Sequence, residues 1–510
     1  MYYKIIFLCI IVLISLFIGG IKMLDKLLDY QREICNLQYT INLLRWELKV
    51  AAPKKSVDNL IQLITGYEDK LFILQTSNEY GNLLLDTINS DEFNKIDEAE
   101  QRYIHNLLRH FQENKNIPET FFSEYTSLKA KANTVWREAK EKQDYELFKP
   151  YLSKIIKMTK EYYKFLNKDA TNLYDVMLND YEMGMTSDII DRLFNELKEA
   201  LIPLIKEVAN NDAVGYKGNY TEKELLDCAT YLLDYIGFDI DRGLLDIYPH
   251  GFTEKMNSND IRIAFSHDNN PVDFVTTIIH EGGHGIFEQN INKNLSRYEN
   301  TTIDDLYALH ESQSRFYENI LGRNINFWIP IYDEVSKKLK LNIPLEEFSK
   351  ALNTVKLSKI RVEADEVTYC LHIIIRYEIE RDLFNGSLNV DDIPDVWNKK
   401  MKEYLNVDIE NNSEGLMQDI HWSEGSFGYF PSYLLGTIYD GMFLEAIEEN
   451  LGSIDELLKN GKVKEITKFL TENIYQFGGA YTSQEIIQKV SGKELSVKPI
   501  INYFYKKYKK

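Results

Sequence analysis

His280-Glu281-Gly282-Gly283-His284 is the stretch of sequence that best indicates what the chain folds around. On a helix, residues four apart lie on the same face one turn above each other, so both imidazoles can reach one zinc ion. Glu281 would then lie beside the metal without binding it, where it can take a proton from a water molecule. Because the chain has nine histidines, a chance match to this pattern has a probability on the order of one per cent. The stretch therefore predicts a zinc-binding helix with Glu281 as general base.

The two glycines of this stretch need an explanation of their own. Each costs roughly 1 kcal/mol of helix stability relative to alanine. Close approach of a neighbouring backbone is one sufficient reason, and close approach of a substrate is another. Both explanations are consistent with the sequence.

A third protein ligand is needed, because a catalytic zinc site uses three side chains and keeps a fourth position open. Glu288 continues the four-residue spacing. However, eight residues of helix rise about 12 Å, too far for Glu288 and His280 to share an ion with bonds near 2 Å. The segment His310-Glu311-Ser312-Gln313 lies far enough downstream for a loop and a returning helix. Glu311 is therefore the predicted third ligand.

Composition places the chain among folded globular proteins. Of its 510 residues, 44% are apolar, 13% aromatic and 27% charged, and only 11 are proline, which suits a helical body. The net charge of −20 disfavours a nucleic-acid partner, because phosphate binding needs a basic surface. Four cysteines lie far apart, which predicts buried thiols and neither a disulfide framework nor a metal knuckle: Cys9, Cys35, Cys228 and Cys370.

The N-terminal segment, residues 1–22, contains an apolar run from Ile5 to Ile21 with lysines on both sides. This run reaches the lower limit for spanning a bilayer, and it also suits a signal-peptide core, although no small-x-small cleavage site follows it. A third interpretation is that translation starts at Met23. The protein is then cytoplasmic, whereas otherwise this segment anchors it, and membrane contact is expected through residues 5–21 alone.

The remainder, residues 23–510, is interpreted as one mainly helical domain. Apolar residues over 27–48 recur in alternating steps of three and four, which indicates a helix packed along one face and ended by Pro53. Residues 260–265 alternate with period two, which predicts a short strand at the edge of a sheet. After Pro271 the helical spacing resumes and leads into the histidines.

Ordered blocks along the chain resemble the carboxypeptidase Taq family of metallocarboxypeptidases. The likeness extends from about Leu24 almost to the C-terminus. The blocks are Leu44-Arg45-Trp46-Glu47, Val135-Trp136, Tyr181 to Thr186, His280 to His284, His310 to Gln313, Ile360 to Asp365, Gly415 to Trp422 and Gly425 to Pro431. Matches of this length and order are specific to a family.

The resemblance implies a mainly helical, zincin-like fold with a small edge β-sheet beside the active-site helix and two lobes around a deep groove. It further implies a homodimer that hydrolyses the C-terminal residues of peptides with broad specificity. One Zn2+ per chain is the implied cofactor, with Co2+ as a substitute. Peptides with a free C-terminus are the implied substrates.

Carried onto this sequence, the resemblance assigns roles to individual residues. The metal ligands would be His280, His284 and Glu311, and Glu281 would activate the water. Arg361 would hold the terminal carboxylate of the substrate. The other residues implied to bind substrate are His421, Tyr429, Tyr433, His250 and Arg262, and His421 with one of the two tyrosines would steady the developing oxyanion.

Two segments depart from the family pattern. His250-Gly251-Phe252 stands where the family has His-Pro-Phe, and Asp260-Ile261-Arg262-Ile263-Ala264 stands where it has Asp-x-Arg-x-Thr. Losing the proline loosens a loop, and losing the threonine hydroxyl removes one polar contact. These departures are expected to affect substrate range and rate rather than metal binding.

Without the resemblance, simpler interpretations are preferred for several of these residues. Arg361 would form a surface ion pair with Glu363 or Glu366. His421 would pack on a core aromatic ring. The strand at 260–265 either holds an extended peptide by main-chain hydrogen bonds or is a simple sheet edge.

Two rival functions remain. A zinc endopeptidase or oligopeptidase would use the same chemistry on internal bonds, and C-terminally amidated peptides separate it from a carboxypeptidase. A catalytically inactive peptide-binding protein would keep the groove, but it would be expected to lack metal ligands, and here all the metal and base positions are filled.

Overall fold

The computed structural model describes residues 22–210, 216–267, 269–298 and 306–509. Most of these residues are helical, which confirms the predicted fold class. The α-helices are α1 Met23–Val50, α2 Val57–Thr76, α3 Asn78–Ile88, α4 Glu98–Asn114, α5 Glu119–Lys142, α6 Tyr145–Leu166, α7 Leu173–Tyr181, α8 Ser187–Val208, α9 Glu222–Ile236, α10 Pro271–Gln289, α11 Lys293–Ser296, α12 Tyr307–Arg315, α13 Ile325–Trp328, α14 Tyr332–Lys338, α15 Leu345–Leu352, α16 Thr368–Asn385, α17 Ile393–Leu405, α18 Phe430–Leu451, α19 Ile454–Lys459, α20 Val463–Asn473, α21 Ser483–Ser491 and α22 Lys498–Tyr508.

Shorter elements and three strands complete the fold. A π-helical turn, Phe316–Gly322, continues directly from α12. The 3-10 turns are Lys54–Ser56, Phe93–Lys95, Ile240–Arg242, Arg361–Glu363, Val390–Asp392, His421–Glu424 and Tyr475–Phe477. The strands are β1 Gly243–Ile247, β2 Phe252–Asn257 and β3 Asp260–Phe265.

Helix α1 follows the apolar stripe that predicted it. Leu27, Ile34 and Ile41 of that stripe are buried at 0–1% exposure, and the helix ends at Val50, just before Pro53. These residues belong to a continuous apolar core that also includes Phe504 near the C-terminus. The first and last helices are therefore held by the same core.

The sheet has the strand order β1-β3-β2, with β3 parallel to β1 and antiparallel to β2. Strand β3 begins and ends as predicted, but the prediction that it lies at a sheet edge is wrong, because it is the central strand. Its consecutive residues Ile263, Ala264 and Phe265 are all buried, so both of its faces are covered at this end. The edge strands β1 and β2 were not predicted because they are only half-buried and show no clear alternation of apolar and polar residues.

Helix α12 lies between α10 and α18 at backbone-to-backbone distance. A Cβ added to Gly283 of α10 would lie 2.7 Å from both the Gln313 carbonyl oxygen and Ser314 Cα. On the opposite side, a Cβ on Gly436 of α18 would lie 2.9 Å from the Ser312 nitrogen and 3.0 Å from the Ala308 oxygen. The structure therefore supports the packing explanation for Gly283: the glycine lets α12 approach the histidine helix.

Two further predictions concern the cysteines and the N-terminus. Cys228 and Cys370 are buried thiols, as predicted, whereas Cys35 is only partly buried. None of the helices within residues 22–210, 216–267, 269–298 and 306–509 is both long enough and apolar enough to span a bilayer. The apolar run at residues 5–21, and Cys9 within it, lie outside the described residues.

Candidate metal centre

His280, His284 and Glu311 bring three ligand atoms together where α10 meets α12. The atoms all lie within 4.8 Å of one another, and Glu311 Oε2 is 3.9 Å from His280 Nε2 and 3.4 Å from His284 Nε2. Ligands on a tetrahedral ion with bonds near 2.1 Å are about 3.4 Å apart. Two imidazoles and one carboxylate at this spacing fit a divalent metal. In the portion of the chain with described coordinates, no other group of three His, Cys, Asp or Glu side chains meets this criterion.

The carboxylate of Glu311 is kept in its charged form. Burial alone would raise the pKa of Glu311, but its hydrogen bond to His284 and the charges of both histidines and Arg315 lower it to about 2. A permanently ionised oxygen donor is what a metal ligand requires. Glu311 therefore offers a charged oxygen donor beside the two histidines.

Glu281 lies beside the ligands and is held by β2. The Thr253 hydroxyl donates to Glu281 Oε2 at 2.7 Å and to the Glu281 carbonyl oxygen at 3.0 Å. Burial raises the pKa of the Glu281 carboxyl, against the opposing effects of His280 and of the Thr253 hydrogen bond. Sequence reasoning missed Thr253, whose only signal is its place next to the His250-Gly251-Phe252 segment.

The two departures from the family pattern lie in different environments. A Cβ on Gly251 would lie 3.0 Å from Glu281 Oε1 and 2.5 Å from Thr277 Cγ2, so this position borders the Glu281 carboxylate. Ala264 is fully buried in a small apolar cluster with Trp46 and Met256. A methyl group suits that cluster, which accounts for the tolerance of alanine there.

The Nδ1 atoms of His280 and His284 have different partners. His280 Nδ1 donates to Glu318 Oε2 at 2.9 Å, and Glu318 Oε1 accepts from Arg323 Nη2 at 3.0 Å. His284 Nδ1 lies 2.7 Å from His310 Nδ1. Glu318 lies seven residues after Glu311 on the continuous α12 and π-helical segment, a spacing of two helical turns that could have identified it from sequence.

Arg361 is buried on a 3-10 turn and does not form the surface ion pair with Glu363 or Glu366. Its Nε and Nη2 donate to Asp419 Oδ1 at 3.0 and 2.9 Å, and its Nη1 donates to the Tyr369 hydroxyl at 2.8 Å. Arg376 approaches the other oxygen of Asp419, with both Nε and Nη2 at 2.6 Å. Two guanidinium groups therefore share a single carboxylate.

His421 contacts Tyr433 more directly than Tyr429. His421 Nε2 lies 3.2 Å from the Tyr433 hydroxyl, while its ring stacks on Tyr429 at a centroid distance of 5.4 Å and packs on Phe430 at 4.4 Å. The Arg361 guanidinium lies 5.1 Å from the Tyr433 ring centroid. Burial, together with Arg361 and Arg376 and against the effect of Asp419, lowers the pKa of His421 to about 3, so the ring is neutral.

The structure gives His250 and Arg262 local partners. His250 is exposed, and its ring packs on Tyr248 at a centroid distance of 4.9 Å. Arg262 donates twice to Asp260, at 3.0 Å in each case, and lies over the Trp46 ring. These contacts hold both side chains at the sheet rather than among the metal ligands.

Comparison with known proteins finds relatives that match almost the whole chain. A family model described as Carboxypeptidase Taq (M32) metallopeptidase matches residues 26–508. Carboxypeptidase 1 of Bacillus subtilis is 37% identical over 492 residues, covering 94% of this chain and 97% of that protein. Thermostable carboxypeptidase 1 of Thermus thermophilus is 31% identical over 514 residues, covering 95% and 98%. The solved structure of Trypanosoma cruzi metallocarboxypeptidase 1 has a TM-score of 0.89 at 26% identity, covering 96% of this chain and 100% of that one.

Proposed function

This chain belongs to the carboxypeptidase Taq (M32) metallopeptidase family, and from that premise we propose how its own residues remove the C-terminal residue of a peptide. Family membership makes the chain a metallocarboxypeptidase, a hydrolase that acts on peptides. The proposal assigns the metal, the base and the groups that hold the substrate. The observation that carries it is the convergence of His280, His284 and Glu311 beside Glu281.

We assign one zinc ion per chain to His280, His284 and Glu311, with cobalt as a substitute. Two imidazoles and one carboxylate are a common catalytic zinc set, and cobalt accepts the same donors. When bound, a divalent ion supplies Lewis-acid chemistry, acidifying a water molecule and polarising the scissile carbonyl. Glu318 orients His280 for this purpose by accepting the proton of Nδ1, which leaves Nε2 free to bind.

Glu281 acts as the general base. It takes the proton of the attacking water and later delivers a proton to the leaving amine. Thr253 fixes Oε2 of this carboxylate, so the position of Oε1 is defined as well. The raised pKa of Glu281 strengthens it as a base, because a carboxylate that is more basic accepts a proton more readily.

Arg361 binds the free carboxylate at the substrate's C-terminus. Arg361 and Arg376 carry two positive charges, whereas Asp419 between them carries one negative charge. His372 and His421 nearby are neutral, because burial lowers the pKa of each to about 3. The two guanidinium groups therefore outnumber the one carboxylate that they share, and a substrate carboxylate would add charge-assisted hydrogen bonds to Arg361.

Tyr433, supported by His421, donates to the developing oxyanion. Burial raises the pKa of Tyr433 well above its usual range, so the hydroxyl keeps its proton and can act as a donor. We assign this role to Tyr433 rather than Tyr429 because its hydroxyl is the one bonded to His421 and its ring contacts Arg361. Tyr429 instead packs edge-on against the rings of Tyr181 and Tyr307.

A timed mass-spectrometric digest of one long peptide tests the proposed function. We expect a ladder that shortens only from the C-terminal side, disappears on chelation and returns when zinc is added. The same peptide with an amidated C-terminus should be cut at least about a hundredfold more slowly, because it offers Arg361 no carboxylate. Internal cleavage of the amidated peptide at an undiminished rate would instead establish the endopeptidase or oligopeptidase alternative.

The assembly, domain and location assignments are proposals of the same kind. We propose that residues 23–510 form a single domain and that two chains form a homodimer. Light scattering of the purified protein tests the homodimer directly. We propose a cytoplasmic protein if translation starts at Met23, and a membrane-anchored one if residues 5–21 are retained. Mass spectrometry of the N-terminal peptide from native cells distinguishes the two.

A further inference from the structure

His284 is the start of a hydrogen-bonded series that leads away from the metal centre to the sheet. His284 Nδ1 lies 2.7 Å from His310 Nδ1, and the two ring planes are within 18° of each other. His310 Nε2 lies 3.1 Å from Glu288 Oε1, and Glu288 Oε2 lies 2.6 Å from Lys255 Nζ on β2. We name His310, Glu288 and Lys255 the outer series.

The proton positions along the outer series follow from its two ends. Lys255 can only donate and Glu288 can only accept, so the His310 nitrogen facing Glu288 carries a proton. For His284 to bind a metal through Nε2, its own proton must be on Nδ1, and the His310 Nδ1 atom 2.7 Å away must then accept that proton. Nε2 of His284 is left with a free lone pair, and this is the atom that lies 3.4 Å from Glu311 Oε2.

The two metal-binding histidines are therefore supported in different ways. His280 donates directly to a carboxylate, Glu318, whereas a second imidazole stands between His284 and its carboxylate, Glu288. Glu288 continues the spacing of His280 and His284 on α10, but it lies at the far end of the helix and reaches His310 instead of the metal. Its buried side chain is 9% exposed, so its contacts with His310 and Lys255 are shielded from water.

We propose that His310, Glu288 and Lys255 are positioning residues that fix the tautomer and ring orientation of His284 for metal binding. The inference rests on the proposed function for the metal ligands, but it concerns affinity for zinc rather than hydrolysis. Partners of this kind typically change metal affinity by 10- to 100-fold when they are removed. Because Lys255 belongs to β2, the outer series also connects the metal site to the same strand that holds Glu281 through Thr253.

The test is zinc affinity, measured by competition with a chromophoric chelator on the full chain. We expect His310→Leu to weaken zinc binding by about 10- to 100-fold and Glu288→Gln by a smaller factor in the same direction. Since the groups act in series, Glu288→Gln should have no further effect once His310 is replaced. Lys255→Met is a milder change on the half-buried strand β2 and should also weaken zinc binding. This variant replaces His310→Leu in the test if His310→Leu does not fold.

A matched control is Glu254→Gln, which removes a carboxylate from the same strand where it pairs with Lys49 outside the outer series. Zinc affinity should stay within twofold of the wild type in this variant. The proposal is wrong if His310→Leu and Lys255→Met retain wild-type affinity, or if the losses from His310→Leu and Glu288→Gln multiply in the double variant. A protein that binds zinc in this His310-dependent way but trims no peptide would contradict the proposed function alone.

Discussion

At the scale of single residues, the orientation and pKa of the proposed general base, Glu281, depend on its neighbours as much as on its own chemistry. Glu281 is buried, its Oε2 accepts from Thr253, and Gly251 leaves little space beside Oε1. Burial disfavours the charged form, whereas His280 and Thr253 favour it. The position therefore combines a basic carboxylate with a fixed orientation.

Glu281→Gln should abolish turnover while leaving metal binding intact. Gln can still accept from Thr253, but it cannot take a proton from water, so we expect kcat to fall by roughly 10²- to 10⁴-fold. Steady-state kinetics on a peptide with a free C-terminus gives kcat, and metal analysis of the purified variant gives occupancy. Undiminished turnover would contradict the assigned mechanism, and loss of metal would show that Glu281 has a role in binding.

Glu380 is the second carboxyl whose environment leads to a measurable prediction. It accepts from the Tyr174 hydroxyl, from Trp422 Nε1 and from the Gly428 nitrogen, and burial outweighs these contacts to raise its pKa to about 7. The folded protein then keeps a proton that the unfolded chain releases above pH 4.5. The stabilising contribution is complete below pH 4.5 and is lost as the pH rises through about 7.

Glu380→Gln should flatten this pH dependence. Between pH 5 and 8 we expect the free energy of unfolding of the wild type to decline by about 3 kcal/mol relative to that of the variant. Denaturant titrations at several pH values measure both curves. We also expect the variant to be less stable by a constant amount at every pH, because the Gln amide cannot accept from all three donors of Glu380. Parallel curves would show that Glu380 is ionised in the folded protein at all these pH values.

At the scale of elements, strand β2 contacts helix α10 at two points along its length. Thr253 and Lys255 lie two residues apart on one face of the strand, while their partners Glu281 and Glu288 lie two turns apart on one face of the helix. A short hydroxyl spans the nearer gap, and a long lysine spans the wider one. One strand can thereby hold both the base and the support of His284.

Gly283→Ala tests the close contact between α10 and α12. The added methyl would lie 2.7 Å from backbone atoms of α12, which cannot rotate away as a side chain could. We expect a loss of about 1–3 kcal/mol in stability and weaker metal binding, because the contact sets the distance from Glu311 to the histidines. Thermal unfolding and chelator competition provide the two measurements.

The control for this variant is Gly66→Ala in the middle of α2. Nothing lies within 4 Å of a Cβ at Gly66, so alanine should stabilise the helix by up to about 1 kcal/mol and leave metal affinity unchanged. Equal changes in stability and metal affinity in the two variants would show that the contact at Gly283 does not set the distance between α10 and α12.

At the scale of the whole molecule, the C-terminal helix α22 supports the segment that carries Arg361. The carboxylate of Glu366, only 3% exposed, accepts from Lys507 Nζ at 2.5 Å and from the hydroxyls of Tyr508 and Tyr503 at 2.5 and 3.3 Å. Glu366 comes five residues after Arg361. The last helix of the chain therefore holds one side of the proposed carboxylate-binding site.

Lys507→Met should weaken this support without touching the metal. Glu366 would keep the Tyr508 hydroxyl as a donor but lose Lys507 as its charged partner, so we expect a cost of about 3–5 kcal/mol in stability. The KM for peptides with a free C-terminus should rise several-fold with metal content unchanged. Lys506→Met, at an exposed position on the same helix, is the matched control and should change neither. An unaltered KM together with lower stability would limit the role of Glu366 to folding.

Much of the site could be predicted from sequence because the decisive spacings are local. His280, Glu281 and His284 follow from one turn of helix, and the argument from helical rise that set Glu288 aside agrees with its contacts with His310 and Lys255. The strand at 260–265 was identified by its alternation, which is also a local property. Glu318 follows the same rule and could have been found two turns after Glu311.

Tertiary structure alone decided the contacts between segments far apart in the chain. No periodicity in the sequence encodes these contacts. They are the pairing of β3 between β1 and β2, the contacts of Thr253 and Lys255 with α10, the sharing of Asp419 by two arginines, and the contacts of Glu366 with α22. The amino-acid sequence by itself determined the fold class and placed His280, Glu281 and His284 on one turn of a helix, because these depend on ordered motifs or on the geometry of a single helix. Only the tertiary structure decided which groups orient the proposed ligands and support the Arg361 segment. The reason is that β2, α12 and α22 are distant in sequence and come close to these residues only when the backbone folds.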